Sequence, residues 1–281
     1  MGELEGKVAL VTGASRGIGA AIAKRFGAEG AAVAVTARSL DPHASLPGTL
    51  RDTAAWIEAQ GSRAIAIRAD LAEPDDRPAI VERTLAEFGR IDILVNNAAA
   101  AFYLPFDKTS DKRFRLAFEI NTHAPWALTQ LAQPGMRERG EGWVLNISSA
   151  TSQHPEHPPT NDFVKTSTLY GSTKAALERM TTGLAAALHD DGIRVNSMAP
   201  VAAVMTEGAE ALGVVPRAAA AQAESLEAMA EASLLLCTGP PELSGRIAYC
   251  TPILEERGRK VRTLDGKEEL AGPRADQAAP H

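Results

Sequence analysis

The stretch Thr12-Gly13-Ala14-Ser15-Arg16-Gly17-Ile18-Gly19 separates an apolar run at residues 7–12 from an Ala-rich segment of helical period at residues 19–29. Its glycines permit a tight turn and let a ligand approach the backbone closely. Amide groups at the start of the following helix bind phosphate oxygens, because their N–H groups have no partner within the helix. A strand, a glycine turn and a helix in this order predict a βαβ unit that binds the pyrophosphate of a dinucleotide.

Further strands and helices alternate along the chain. The remaining predicted strands are residues 31–36, 63–69, 91–96, 143–148 and 193–198. The remaining predicted helices are 49–60, 74–88, a long one from about 110 through Asn121 onward, another that could continue toward 136, and 169–189. This alternation is typical of a mostly parallel sheet covered on both faces. We therefore predict an α/β fold, a Rossmann-like doubly wound parallel sheet in a three-layer α/β/α arrangement.

The domain organisation follows from the absence of repeats and linkers. No composition shift divides the chain before Gly258, so residues 1–258 are predicted as a single catalytic domain. The charged residues 259–281 are predicted as a C-terminal tail that is frayed or disordered.

Composition excludes several classes of protein. The net charge of -6 argues against nucleic-acid binding, which needs a basic face. Residues 1–7 are charged and lack the apolar region of a signal peptide, and no run approaches the ~18 apolar residues of a membrane span. Cys237 and Cys250 have no metal-ligand spacing and favour two buried thiols in a reducing compartment over a disulfide. We expect a soluble, cytoplasmic protein with no metal site and neither nucleic-acid nor membrane partners.

The residues after the second predicted strand bear on the choice of dinucleotide. An acidic residue there would bind the ribose 2'-hydroxyl of NAD. The sequence instead has Thr36-Ala37-Arg38-Ser39, without a carboxylate. Arg38, with Arg16 in the glycine turn, can pair with a 2'-phosphate, so NADP(H) is expected in preference to NAD(H). The alternative is that both arginines are only solvated.

The sequence Tyr170-Gly171-Ser172-Thr173-Lys174 falls on a predicted helix, where residues four apart share one face. A phenol with a pKa of about 10 is a poor acid–base near neutral pH. A nearby ammonium would lower the pKa of Tyr170, so Lys174 is predicted to activate it and to hold a ribose hydroxyl. The pair is common by chance and indicates function only together with its neighbours.

An ordered set of motifs resembles the short-chain dehydrogenase/reductase family. The set consists of residues 12–19, Asp70-Leu71, Asn96-Asn97-Ala98-Ala99, Asn121, Asn146-Ile147-Ser148-Ser149, Tyr170 with Lys174, and Arg194-Val195-Asn196 before Pro200. Each motif alone is weak, whereas the ordered set is specific. The resemblance implies reversible reduction of a ketone or aldehyde by hydride from a nicotinamide cofactor. Other readings are a dehydratase or epimerase of the same fold, or a non-catalytic cofactor-binding regulator.

The resemblance implies a role for each catalytic position. Tyr170 would be the acid in reduction and the base in oxidation, and Ser149 would hydrogen-bond the carbonyl oxygen. Ser148 is the weaker candidate, because alternation along the strand points it the other way. Lys174 would bind the nicotinamide ribose, and Asn121 would hold a water that links Lys174 to solvent.

The resemblance also implies a set of cofactor-binding residues. Asp70 and Leu71 would bracket the adenine, although Asp70 could instead cap the following helix, and Asn97 could instead satisfy backbone groups in a turn. The expected set is Gly13, Ser15, Arg16, Gly17, Ile18, Gly19, Arg38, Ser39, Asp70, Leu71, Asn97, Ala98, Ala99, Tyr170, Lys174, Pro200 and Val201. Ala99 and Val201 stand where the family pattern has glycine.

Spacing is the largest departure from the family pattern. Ser149 and Tyr170 are 21 positions apart, and the extra residues fall in the proline-rich segment 153–168. A tolerated surface insertion would cost little closure entropy. Because this loop joins two catalytic elements, we expect it to form a wall or lid over the substrate.

The sequence does not identify the substrate or the oligomeric state. Residues 201–230 are Ala-rich and lie where the family binds substrate, so a fairly apolar small molecule is expected. Steroid-like, acyl-thioester, terpenoid and xenobiotic carbonyls all stay open. The resemblance implies a homo-oligomer, either a tetramer or a dimer.

Overall fold

A parallel sheet of seven strands forms the centre of the computed structural model, which describes residues 2–40, 47–159, 162–206 and 223–274. The strands lie in the order β3-β2-β1-β4-β5-β6-β7. They are β1 Val8–Thr12, β2 Ala32–Ala37, β3 Ala64–Arg68, β4 Ile93–Asn96, β5 Gly142–Ile147, β6 Ile193–Ala199 and β7 Ile247–Tyr249. The order reverses between β1 and β4, so the ligand-binding switch point lies at the carboxyl ends of these two strands.

Helices cover both faces of the sheet, as the alternating pattern predicts. They are α1 Gly17–Ala28, α2 Leu50–Ala59, α3 Asp76–Phe88, α4 Asp111–Phe118, α5 Ala124–Arg139, α6 Phe163–Thr166, α7 Thr168–Ala187, α8 Leu226–Thr238 and α9 Cys250–Glu256. Neighbouring residues of β1 point to opposite faces: Val11 packs with Phe26 of α1 on one side, and Leu10 packs with Leu128 of α5 on the other. The predicted three-layer, doubly wound fold is confirmed.

The long helix predicted from residue 110 is interrupted. Glu119–His123 form a π turn between α4 and α5, and Pro134 lies inside α5. A π turn adds one residue to a helical turn and changes the backbone hydrogen bonding locally. The change of pitch puts Asn121 in the interior, fully buried.

The proline-rich insertion contains one short helix. Residues 154–159 are irregular, α6 follows, and α7 begins at Thr168. Because α6 ends next to the start of α7, the insertion leads directly into the helix that carries Tyr170.

The segment after Gly258 is folded where it is described. Val261 is buried, Leu270 N donates to Val261 O (2.8 Å), and Ser225 N donates to Pro273 O (2.8 Å). This part of the expected tail thus packs on the domain, while residues 275–281 lie outside the described ranges. Residues 207–222 of the predicted substrate-binding segment 201–230 also lie outside the described ranges.

Candidate active site

The glycine turn closes tightly against the end of β4. Gly13 and Gly17 have φ angles of +67° and +56°, in the left-handed region that favours glycine. A Cβ atom on Gly13 would lie 2.8 Å from Ala98 Cα, and one on Gly19 would lie 2.4 Å from Gly13 O. The turn therefore requires glycine for both its conformation and its packing, and it leads into the N-terminus of α1.

Asn97 holds this turn in place. Its Nδ2 donates to Thr12 O (2.8 Å) and Gly13 O (3.1 Å), and Thr12 Oγ1 accepts from the backbone amides of Asn97 and Ala98. The alternative suggested for Asn97, that it satisfies backbone groups, describes its side chain here. Asp70 behaves similarly, since its carboxylate accepts from Ala72 N (3.0 Å) in the turn before α3.

A cleft of about 450 Å³ lies at the switch point of the sheet. It brings together ten of the residues expected to bind the cofactor: Gly13, Ser15, Arg16, Arg38, Ser39, Asp70, Leu71, Asn97, Ala98 and Ala99. Gly17, Ile18 and Gly19 form the start of α1 beside it. The apolar side chains of Phe102, Leu116 and Ile120 also line the cleft, and the sequence did not single them out.

Guanidinium groups gather where the cleft meets β2 and β3. Arg16 lines the cleft and donates to Pro47 O (2.8 Å) and Gly48 O (3.1 Å), so it is held by the backbone rather than only solvated. Arg68 Nε donates to the carbonyl oxygen of Arg38 (3.1 Å). Arg68 could not be predicted from the sequence, because it is 30 residues from Arg38 and lies near it only through the pairing of β2 with β3.

Helix α7 packs against the carboxyl end of β5. Lys174 is 2% exposed, its Nζ donates to Ile147 O (2.7 Å), and this atom lies 5.6 Å from the centroid of the Tyr170 ring. Gly171 allows this approach, because a Cβ atom there would lie 2.3 Å from Thr151 O. The helix thus brings Tyr170 and Lys174 beside the segment that carries Ser149.

The two serines after β5 make different contacts. Ser148 Oγ donates to Glu178 Oε1 (2.6 Å), whereas Ser149 Oγ accepts from Thr151 N (3.2 Å) and Thr151 Oγ1 (3.0 Å). Because both contacts of Ser149 use its oxygen as acceptor, the hydroxyl hydrogen can be donated to a substrate oxygen. This geometry favours Ser149 over Ser148, as strand alternation suggested.

Asn121 links three parts of the site. Its Oδ1 accepts from Ala100 N (2.7 Å), and its Nδ2 donates to Ala100 O (2.9 Å) and Thr173 Oγ1 (2.9 Å). The amide therefore fixes the loop after β4 against α7. Both Nδ2 hydrogens are thus engaged by protein oxygens, so a water expected beside Asn121 would donate to Oδ1 or bind the backbone.

Two aromatic residues that the sequence did not single out form a chain of rings that ends at Tyr170. The Tyr103 ring centroid is 5.4 Å from that of Tyr170 and 5.2 Å from that of Phe163, which belongs to α6 of the insertion. Leu104 N donates to Thr166 O (3.0 Å), which ties the loop after β4 to α6. The insertion therefore contacts the catalytic region through Tyr103.

The sequence of this folded unit matches a known family. The model of the short chain dehydrogenase family matches residues 7–213. The chain belongs to the short-chain dehydrogenase family. An uncharacterized oxidoreductase from Methylorubrum extorquens is 36% identical over 214 residues, which are 76% of this chain and 79% of that protein. Hydroxysteroid dehydrogenase-like protein 2 from Danio rerio is 32% identical over 92% of this chain, which spans 60% of the length of that relative.

Solved structures agree with this assignment. A 7α-hydroxysteroid dehydrogenase complexed with NADH and 7-oxo glycochenodeoxycholic acid is 30% identical, with a TM-score of 0.78 over 88% of this chain and 93% of that one. A metagenomic short-chain oxidoreductase in complex with NADP is 29% identical, with a TM-score of 0.72 over 88% and 97%. This short-chain dehydrogenase is therefore an NAD(P)-dependent oxidoreductase that acts on CH–OH groups of a small molecule.

Burial sets the protonation of the two residues on α7 of this short-chain dehydrogenase. It raises the pKa of the Tyr170 phenol above its ordinary value of 10, and neighbouring Tyr103 adds to the rise. Burial also lowers the pKa of Lys174 from 10.5 to about 8, partly opposed by the charge of Glu178. The expected lowering of the Tyr170 pKa by Lys174 is not seen with the chain's own residues, because desolvation is the larger effect.

The described ranges carry neither a metal-binding cluster nor a membrane-spanning helix. No group of three or more His, Cys, Asp or Glu side chains suited to a metal ion occurs there. Within those ranges, no helix combines the length and hydropathy needed to cross a membrane. Cys237 and Cys250 are free and buried.

Proposed function

We propose that this short-chain dehydrogenase interconverts a ketone or aldehyde and an alcohol on a fairly apolar small molecule, with preference for NADP(H). The observation that carries the proposal is the packing of α7 on the end of β5. Lys174 Nζ bonds to Ile147 O, two residues before Ser149, and Gly171 abuts Thr151, two residues after it. The separate cleft at the switch point has a glycine turn and a polar rim that suit a dinucleotide.

Each side chain has a defined task in the proposed reaction. The nicotinamide supplies or accepts the hydride when it is bound. The phenol of Tyr170, whose raised pKa favours the protonated form, donates its proton to the developing alkoxide. Ser149 donates a hydrogen bond to the same oxygen, and the Lys174 ammonium offsets the negative charge left on Tyr170. In oxidation the proton moves back to Tyr170.

The preference for NADP(H) is supported by charge. Arg16 and Arg38 line the cleft, Arg68 adjoins Arg38, and the 36–39 segment has no carboxylate to bind a 2'-hydroxyl. A guanidinium pairs with a phosphate through two parallel hydrogen bonds. The related structures contain NADP in one case and NADH in another, so the proposed preference for NADP(H) rests on this chain's own residues.

We propose a homo-oligomer, either a dimer or a tetramer, in which a second copy covers an exposed apolar patch. The patch consists of Phe114, Phe118, Trp126 and Met180, which line a shallow depression of about 640 Å³ on α4, α5 and α7. Phe114 and Trp126 are 48% and 42% exposed. Contiguous aromatic surface of this kind is typical of interaction sites.

The decisive experiment is a screen for NADPH oxidation against ketones and aldehydes that include oxo-steroids, with Tyr170→Phe as the matched variant. We expect turnover with at least one apolar carbonyl and a loss of about 10²–10⁴-fold in kcat for Tyr170→Phe. Fluorescence titration of NADPH serves as the control and should give similar affinities for both proteins. Wild-type turnover by Tyr170→Phe contradicts the mechanism, and substrate conversion without net NADPH oxidation indicates a dehydratase or epimerase.

A further inference from the structure

Glu178 continues the row of functional side chains on α7. It follows Lys174 by four residues and Tyr170 by eight, so the three side chains lie on one face of the helix. Its carboxylate is half-buried, and Oε1 accepts hydrogen bonds from Ser148 Oγ (2.6 Å) and Ser152 Oγ (2.7 Å). Both are short, as is usual when the acceptor is charged.

These two serines flank Ser149. Ala150–Ser152 form a 3-10 turn for which Ser149 is the N-cap, and Ser152 N donates to Ser149 O (3.0 Å). The carboxylate of Glu178 therefore fastens the chain on both sides of the serine proposed to bind the substrate oxygen. Lys174 Nζ also donates to the carbonyl oxygen of Ile147, the residue before Ser148. Without these contacts, the turn that aims the Ser149 hydroxyl would lose its side-chain bonds to α7 and keep the packing of Thr151 on Gly171.

The charge of Glu178 also acts on Lys174. The Lys174 ammonium bonds to Ile147 O of β5 and lies near the Tyr170 ring, and Glu178 follows it by one helical turn on α7. Within the described ranges, Glu178 is the carboxylate whose charge favours the protonated lysine. Removing this charge would leave a buried ammonium with less compensation, which lowers its proton affinity.

We propose that Glu178 is a positioning residue for the reaction: it orients Ser149 through Ser148 and Ser152, and it sets a negative charge one helical turn from the Lys174 ammonium. The inference rests on the proposed function, because it assigns Glu178 to the same proton-transfer site. Two separable effects follow: one on the orientation of the Ser149 hydroxyl and one on the proton affinity of Lys174.

Three variants separate the two effects. Glu178→Gln keeps an acceptor oxygen and removes the charge, so the alkaline limb of the kcat/KM profile should move to lower pH by about one unit, with a small loss of kcat at pH 7. The double variant Ser148→Ala with Ser152→Ala keeps the charge, so kcat should fall about 10-fold without moving that limb. Glu178→Ala should show both effects. Glu82→Gln, an exposed position on α3, is the matched control and should leave the profile unchanged.

A second readout does not depend on turnover. The titration of Lys174 is followed by NMR in protein labelled with 13C at the lysine ε carbon, with Lys174→Met to assign the signal. We expect a lower midpoint in Glu178→Gln than in wild type. An unchanged midpoint together with an unmoved alkaline limb overturns the charge role, and wild-type kcat in folded Glu178→Ala overturns the positioning role. If wild type reduces no carbonyl, the proposed function fails, and the NMR midpoint still decides whether Glu178 controls Lys174.

Discussion

Lys174 is a buried ammonium, and its lowered pKa has a consequence for stability. The pKa is about 8 in the folded protein, against an ordinary value of 10.5. Between these values the unfolded chain binds more protons than the folded one, so this residue makes stability rise with pH from about 8 to 10.5. Below pH 8 the penalty for burying the charge is fully present. The residue proposed to bind the ribose therefore destabilises the fold at neutral pH.

Lys174→Met should remove this pH dependence. We expect a net gain of about 2 kcal/mol at pH 7: about 3 kcal/mol from the 1.36 kcal/mol that corresponds to each pKa unit, less about 1 kcal/mol for the lost bond to Ile147 O. The difference from wild type should shrink between pH 8 and 10. Urea unfolding at a series of pH values measures it, with exposed Lys112→Met as control. Parallel curves for wild type and Lys174→Met would contradict the buried charge.

Arg38 should carry much of the cofactor preference. Arg38→Asp replaces a partner of the 2'-phosphate by a carboxylate that repels it and can bind a 2'-hydroxyl. We expect the ratio of kcat/KM for NADPH over NADH to fall by about 10²-fold or more, and Arg68→Ala to have a smaller effect in the same direction. Arg83→Ala, exposed on α3, should leave the ratio unchanged. Equal use of NADPH and NADH by wild type would end the claim of preference.

Single residues could be predicted where one helix or one turn defines their relation. Tyr170 and Lys174 are four apart on α7, and the glycine turn is contiguous, so their local arrangement followed from spacing. The burial that shifts the pKa of both residues arises from α7 packing on β5, which spacing does not reveal. The contacts of Arg68, Tyr103 and Glu178 could not be predicted for the same reason. Their partners, which are Arg38, Tyr170 and Ser148, come close only after folding.

At the scale of elements, the insertion contacts the site through rings rather than through the cofactor cleft. Phe163 of α6 packs on Tyr103, which packs on Tyr170, whereas the lining of the cofactor cleft includes no described residue of 153–168. A second cleft of about 440 Å³ lies between the insertion and α7, lined by residues such as Pro155, Phe163 and Ser172. This arrangement supports the view of the insertion as a substrate wall.

Phe163→Ala should therefore change substrate selectivity and spare cofactor binding. Loss of one aromatic pair, worth about 0.5–1.5 kcal/mol, should alter the relative kcat/KM of bulky and small carbonyls by about 2–10-fold. The Kd for NADPH should stay close to that of wild type. Phe106→Ala is the control, since this ring is 85% exposed. An unchanged substrate profile would favour a tolerated surface insertion.

Helices and strands were easier to predict than the positions at which one ends and the next begins. Alternating apolar runs located six of the strands, but β7 has three residues, too few for a periodic signal. The helix expected from residue 110 breaks at the π turn, because Asn121 bonds to Ala100 and Thr173 rather than following the ideal helical path. Such long-range bonds override the local pattern.

At the scale of the molecule, the doubly wound parallel sheet followed from the βαβ pattern, whereas the order of its strands was not predicted. The folding of the segment after Gly258 was not predicted either, because its contacts are with residues distant in sequence. Arg259 pairs with Glu231 of α8 and with Glu3, and Glu231 in turn pairs with the buried Arg25 of α1. A charged composition suggests solvent exposure, whereas Arg25 and Glu231 neutralise one another in the interior.

The apolar patch on α4, α5 and α7 leads to a prediction about assembly. Trp126→Asp places a charge at the centre of a surface that a second copy would desolvate, so association should weaken by at least about 10-fold in Kd. Sedimentation velocity across a range of protein concentrations measures the mass. Leu85→Asp, at a 41% exposed position of α3, introduces the same charge elsewhere and should leave the mass unchanged.

The same variant tests whether assembly supports the catalytic site. Phe118 and Trp126 flank the π turn that holds Asn121, and Asn121 bonds to Thr173 on the catalytic helix. A second copy packed on the patch would restrain this turn, so a monomeric Trp126→Asp should lose both thermal stability and kcat while its NADPH affinity changes little. A wild-type protein that is monomeric at micromolar concentration, or a Trp126→Asp of unchanged mass, would remove the patch from any role in assembly. Its exposed rings would then have to be explained by a different partner.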